Sequence, residues 1–260
     1  MARRVTVLLA CAVSSTCGGL YGHGWPYEGF STAGFVQDGG GGVSWTKDGS
    51  FGMQGNMRMY LVEDYQVTDW WGAKFVTFNL LGKTLTYTVD LSKVPCGVIA
   101  CLYFTANWKP GPGSNYCDIQ QQAGGCFEMD LMEANSVAFE SSLHVQTGNG
   151  FDGSCNEKGC SLNMGRYPFT RDGARTKDLY GPGGHIDSRS PFDVRVDVDT
   201  AGYMSVTLSQ GDKVFPFYNQ SSAGNLPDIP WNNFQKPELY PKPAGIPADA
   251  AAKTVAAMSS

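Results

Sequence analysis

After its opening residues the chain has no apolar run long enough to cross a bilayer as a helix. Positive charge is scarce as well: 19 Lys and Arg stand against 24 Asp and Glu, for a net charge of -5. That leaves no basic surface of the kind nucleic acids select, so no nucleic-acid partner is expected. Metal-binding patterns are missing too. The acidic stretches lack the spacing and glycine of an EF-hand loop, and CNEKGC has no second cysteine pair or histidine cluster to complete a zinc site. No cofactor and no metal are expected.

What the chain does have is turn formers and strand formers. Its 33 Gly and 14 Pro, set among abundant Thr, Val, Tyr and Phe, indicate a mainly β protein. A length of 260 residues allows one large domain or two small ones. Residues 1–16 read as an export signal, with Arg3 and Arg4 ahead of the apolar VTVLLACAV and the small residues Ser14, Ser15 and Thr16 after it. The expectation is a soluble, secreted, extracellular monomer without a membrane partner. Cys11 would leave with the signal, and the seven remaining cysteines would sit in an oxidising compartment. Seven is odd, so at least one is free or joined to another chain.

Residues 17–42, rich in Gly and aromatics and without periodicity, are expected to form a surface loop or partly ordered arm, in which Trp25 could stack on a sugar ring, although such an aromatic more often caps a core edge. From residue 43 the pattern alternates. Strands are expected near Val43 to Thr46, Arg58 to Leu61, Phe75 to Leu80 and Thr84 to Val89, with Gly82 making a tight hairpin turn between the last two. Phe192 to Val198 and Tyr203 to Leu208 form a second alternating pair joined by DTAG, followed by KVFPFYNQ. Asn219 opens an N-x-S triplet that a eukaryotic secretory route could glycosylate. Residues 221–260 are Pro-rich and then Ala-rich, and little packed structure is expected there.

The chemistry concentrates in CFEMDLMEANSVAFESSLH, from Cys126 to His144, where Glu128, Asp130 and Glu133 fall within six residues. In an extended strand Glu128 and Asp130 share a face while Glu133 points the other way. One bulge residue between Asp130 and Glu133 restores all three to one face. The outer pair could then approach about 5 to 5.5 Å, the separation between the nucleophile and the acid/base of a retaining glycosidase. Phe127, Met129 and Leu131 alternate with the acids and would bury the opposite face. Three like charges on one surface raise the pKa of at least one of them. A helix from Glu128 to Phe139 is also compatible with propensity, and its acidic patch would then be a solvated face.

The stretch resembles the active-site strand of glycoside hydrolase family 7, whose pattern is E-M-D-x-x-E-A-N-S with a histidine eleven residues after the second glutamate. His144 stands eleven after Glu133. The resemblance implies that Glu128 is the nucleophile, Asp130 its hydrogen-bonding neighbour, Glu133 the acid/base and His144 a substrate-side ligand. It implies substrate-side roles also for Tyr103, for Asp118 and Gln120 in NYCDIQQ, and for Arg166 in SLNMGRYPF, and a Cys117 to Cys126 disulfide. The partners of Cys17, Cys96, Cys101, Cys155 and Cys160 stay open, with Cys96 to Cys101 and Cys155 to Cys160 as local options. The likeness runs over residues 43–220, strongest outside the acid motif in YGPG. It implies a jelly-roll β-sandwich of two curved antiparallel sheets, with the family's later strands missing.

The implied activity is retaining hydrolysis of β-1,4-glucan, with β-glucan or cello-oligosaccharide as the partner and endo-type cutting favoured by short loops. Ile99 replaces a family asparagine, Met132 a tryptophan, and GNGFDGSC lacks an arginine, all pointing to weaker substrate binding. Two other readings remain: a carbohydrate-binding protein on the same scaffold, and a β-1,3-glucanase or transglycosylase of the related family 16, which shares E-x-D-x-x-E.

Overall fold

The computed structural model describes residues 34–46, 50–78, 80–105, 128–144, 178–200 and 204–217, together with the backbone of residues 5–6, 21–24, 160–163, 176–177 and 218–219. In chain order the strands are β1 (Val5–Thr6), β2 (Tyr21–Gly24), β3 (Gly34–Gly39), β4 (Gly42–Trp45), β5 (Phe51–Gln54), β6 (Met57–Val62), β7 (Lys83–Val89) and β8 (Ala100–Thr105). They continue as β9 (Glu128–Ala134), β10 (Phe139–His144), β11 (Cys160–Asn163), β12 (Tyr180–Gly181), β13 (Ile186–Asp187), β14 (Phe192–Val198), β15 (Met204–Gln210) and β16 (Lys213–Asn219). One helical turn, α1 (Thr176–Leu179), precedes β12.

Two larger sheets face each other. One has the order β1-β7-β14-β15-β16 and the other β11-β10-β9-β8. Every pairing within them is antiparallel except that of β1 with β7. The first sheet sends Tyr87, Val89, Phe192, Val194, Val196, Val198, Val206, Leu208 and Phe217 into the core. The second sends Ala100, Met129, Leu131, Met132, Ala134, Phe139 and Leu143. Phe139 lies at the centre, with ring centroids 5.0 Å from Phe217, 5.6 Å from Tyr180 and 6.1 Å from Phe192, each edge to face. Burial of this apolar surface is what drives the sheets together.

β14 alternates as the two-residue period demands, with Phe192, Val194, Val196 and Val198 buried and the polar Asp193 and Arg195 between them exposed. β15 returns beside it in the expected hairpin, Val198 opposite Met204. β16 lies at the sheet edge, where Pro216 is tolerated next to a register shift opposite Val206 and Thr207.

Two local expectations are corrected. The glycine-rich stretch before residue 43 is not all loop: β3 pairs with β2 on one side and with β6 on the other, because Phe35 and Val36 bury themselves on opposite sides of it. The segment Phe75 to Leu80 forms no strand among its described residues. Phe75 makes a single bridge to Val62 and packs with Tyr60 over a second small cluster containing Val36 and Ala73. Gly82 still takes the left-handed φ of +66° and closes a turn from Leu80 to Lys83, but β7 then pairs with β14 rather than with the preceding segment.

Candidate active site

β9 is central in its sheet, between β8 and β10, and this fixes where its side chains point. Glu128, Asp130 and Glu133 lie opposite Thr105, Tyr103 and Cys101 of β8, three residues that are themselves two apart. On the other side they lie opposite His144, Ser142 and Glu140 of β10, again two apart. Both neighbours keep the regular period, so the three acids share one face. The irregularity is in β9: two residues, Leu131 and Met132, separate Asp130 from Glu133 where β8 and β10 each have one residue between the opposing positions. That is the bulge expected between Asp130 and Glu133. The strand rather than the helix forms because Met129, Leu131, Met132 and Ala134 all enter the core.

The acid face is half-buried. Glu128 and Glu133 are partly covered, while Asp130 and His144 are buried. Nε2 of His144 lies 3.1 Å from Oδ2 of Asp130. Ser141, on the core side of β10, donates its hydroxyl to the Asp130 carbonyl at 2.8 Å. Glu133 is pushed up to about 8, first by burial and then by the Asp130 and Glu140 carboxylates. Glu128 adds a smaller push, and His144 pulls the other way. A carboxyl held in this way keeps its proton at neutral pH, as a general acid must. Ligand atoms of Glu128, Asp130 and His144 fall within 4.8 Å of one another. Three such donors could hold a cation, and within the group His144 and Asp130 stand at hydrogen-bond distance.

The turn after β9 is held from three directions. Oδ1 of Asn135 accepts the backbone N–H of Val137 and of Ala138, both at 2.9 Å, and its Nδ2 donates to the Val98 carbonyl at 3.1 Å. The Tyr180 hydroxyl donates to the Asn135 carbonyl at 2.7 Å, and the Ser188 hydroxyl donates to that of Ser136. The A-N-S of the motif and the YGPG segment therefore meet. Together they fix the hairpin whose strands carry the acids.

Tyr103 stands opposite Asp130, on the acid face. Asp118, Gln120, Arg166 and the Cys117 to Cys126 pair lie outside the described residues, as do Trp25, residues 221–260 and the Cys155 option. Cys96 and Cys101 are not bonded to each other: Cys96 is in an exposed turn, and Cys101 faces Glu133. Met132 is fully buried in the core. Replacement of a tryptophan there is thus a matter of packing, and the weaker substrate binding expected from it does not follow. Sequence reasoning missed Glu140 and Ser142. Counting back from His144 by twos through FESSLH would have placed both on its face.

Over residues 42–124 the chain matches the family model described as glycosyl hydrolase family 7. That match ends just before β9. Endoglucanase EG-1 of Hypocrea jecorina is 29% identical over 168 residues, 55% of this chain and 33% of that protein. Exoglucanase GH7B of Limnoria quadripunctata is 27% identical over 218 residues, 62% of this chain and 46% of that protein. The chain thus spans between a third and a half of the length of these relatives. Among solved structures, a GH7 family cellobiohydrolase from Daphnia pulex superposes with a TM-score of 0.50 at 17% identity, covering 85% of this chain and 63% of that one. At that identity the likeness speaks to the fold, a jelly-roll β-sandwich.

Proposed function

For a chain that is related to glycoside hydrolase family 7, we propose the function of a retaining glycoside hydrolase that cleaves the β-1,4-glucosidic bonds of cellulose or a related β-glucan. One observation carries the reading: a bulged strand presents Glu128, Asp130 and Glu133 on one face, with the last pushed up to about 8. In the first step Glu128 attacks the anomeric carbon while Glu133 passes its proton to the departing glycosidic oxygen. A covalent glycosyl-enzyme results. In the second step Glu133, now a carboxylate, takes a proton from water, whose oxygen displaces Glu128. Asp130, steadied by His144, orients Glu128, and Tyr103 supports it from β8.

Residues 43–220 form the catalytic domain in this reading, acting as a secreted monomer. Asp118, Gln120, His144 and Arg166 contact the glucan, and Cys117 joins Cys126. Only a dozen residues separate Phe104 from Cys117. Loops that short favour an open cleft and internal cutting.

The test is hydrolysis of soluble cello-oligosaccharides by the full chain and by Glu128→Gln. The variant should lose about 10³-fold or more, and equal activity in both would remove Glu128 as nucleophile. Release of the β-anomer first, followed by NMR, supports retention. Viscosity of carboxymethylcellulose should fall faster than reducing ends accumulate, and strictly terminal cellobiose release would sink the endo assignment. Preference for laminarin would move the enzyme to β-1,3-glucan, and tight binding without hydrolysis would make it a carbohydrate-binding protein.

A further inference from the structure

Glu140 is a fourth acid on this face, and nothing in the E-x-D-x-x-E motif accounts for it. It lies directly opposite Glu133 across the β9 and β10 pair, at the last register position before the bulge, and is half-buried. Opposed residues of an antiparallel pair hold their Cβ atoms about 4.5 to 5.5 Å apart, and like charges in that position destabilise the sheet. The register therefore sets a second carboxyl beside Glu133, and on the proposed hydrolase reading, which this inference rests on, the consequence is electrostatic.

We propose that Glu140 is a positioning residue for proton transfer: its carboxylate, facing Glu133 from the neighbouring strand, holds the proton on the general acid and sets how far into alkaline solution the cleft can donate one. Every element around Glu133 among the described residues enters the balance. From β9 itself come Asp130 and Glu128, from β10 Glu140 and His144, and from β8 Cys101 and Tyr103; the β11 residue in register with Glu140 is the uncharged Asn163. His144 is the group of this set that can carry positive charge, and it stands against Asp130. Of the side chains on β10, Glu140 is the one in register with Glu133. The rise of Glu133 contains a contribution from Glu140, second among the charges after Asp130.

The experiment compares wild type, Glu140→Gln and Glu140→Asp in cellotetraose hydrolysis from pH 4 to 10. Cellotetraose has a sugar leaving group that needs protonation. Glu140→Gln should move the alkaline limb of kcat/KM downward by at least about half a pH unit, with activity below pH 5 changed less than about threefold. Glu140→Asp, which keeps the charge, should retain at least half of the wild-type displacement. An alkaline limb that is the same in wild type and Glu140→Gln overturns the proposal, as does a Glu140→Asp limb that matches Glu140→Gln. A second arm needs no turnover: ¹³C NMR titration of carboxyl-labelled glutamates, with Glu133→Gln to assign the Glu133 signal. A lower Glu133 midpoint in Glu140→Gln supports the coupling even if no substrate is cleaved, in which case only the hydrolase reading fails. An unmoved midpoint overturns the coupling whatever the activity.

Discussion

The two sheets of the sandwich turn polar residues outward in opposite ways. On the five-stranded sheet each acid has a partner: Asp193 accepts the Thr88 hydroxyl, and Asp197 takes both the Thr84 hydroxyl and the Arg195 guanidinium, at 2.6 and 2.7 Å. Asp197 is accordingly held below the usual carboxylate range, chiefly by Arg195. On the four-stranded sheet acid faces acid, Glu133 against Glu140, in half-buried surroundings, and Glu133 moves the other way, to about 8. One surface uses charge to stay solvated. The other holds charge where it is unfavourable, the usual condition for a group that must give up a proton.

Both surfaces depend on the same core, so the contrast breaks most completely there. Phe139→Ala removes the ring that touches Tyr180, Phe192 and Phe217. It should cost about 3 to 5 kcal/mol in urea unfolding. A loss below about 1 kcal/mol would mean that the sheets do not meet through this residue. The next effect is specific to the acid face. Glu133 has a folded pKa near 8 against an ordinary value of 4.5. Below the ordinary value both folded and unfolded chains hold the proton, so its stabilising contribution is complete there. As pH rises toward 8 the unfolded chain gives the proton up first, and the contribution is lost. Wild type should therefore lose about 2 to 4 kcal/mol more than Glu133→Gln between pH 4.5 and 9. Parallel stability curves would show that Glu133 is not strained as described.

These contrasts were only partly readable beforehand. β14 was located to the residue, because Phe192 to Val198 alternates strictly and one period decides it. β9 required an assumption, one inserted residue, and the register of both its neighbours bears that assumption out. The Phe75 to Leu80 segment failed for a tertiary reason: alternation cannot reveal that Phe75 is spent covering Tyr60 and Val36. Met132 was misplaced in function because the bulge turns Leu131 and Met132 both into the core, a consequence not drawn from the expected bulge. Glu140 is placed on the acid face by the two-residue period back from His144, but that it stands opposite Glu133, seven residues away across a turn, depends on the pairing register and not on local sequence.

Asn135 closes the turn of the acid hairpin by accepting from the Val137 and Ala138 N–H groups, and ties it to the chain before β8 by a third side-chain hydrogen bond, to the Val98 carbonyl. Asn135→Ala should cost about 1 to 2 kcal/mol, since a typical net contribution is near 1 kcal/mol and water replaces part of it. Its signature should be a larger proportional loss of turnover than of stability, because Glu133 lies two residues away. The smallest effect belongs to the other surface. Arg195→Ala removes an ion pair whose side chains are 55% and 37% exposed, and exposed pairs of this kind contribute within about 0.5 kcal/mol once salt screens them. Any pH dependence that Asp197 adds is present above its ordinary range and is lost on the acid side, since its carboxyl is lowered rather than raised. Between pH 5 and 9 the Arg195→Ala stability curve should therefore parallel wild type, while that of Glu133→Gln diverges from it. If the Arg195 variant bends across that window instead, titration of the acid face is not what shapes the pH dependence of this protein, and the contrast between its two surfaces is lost.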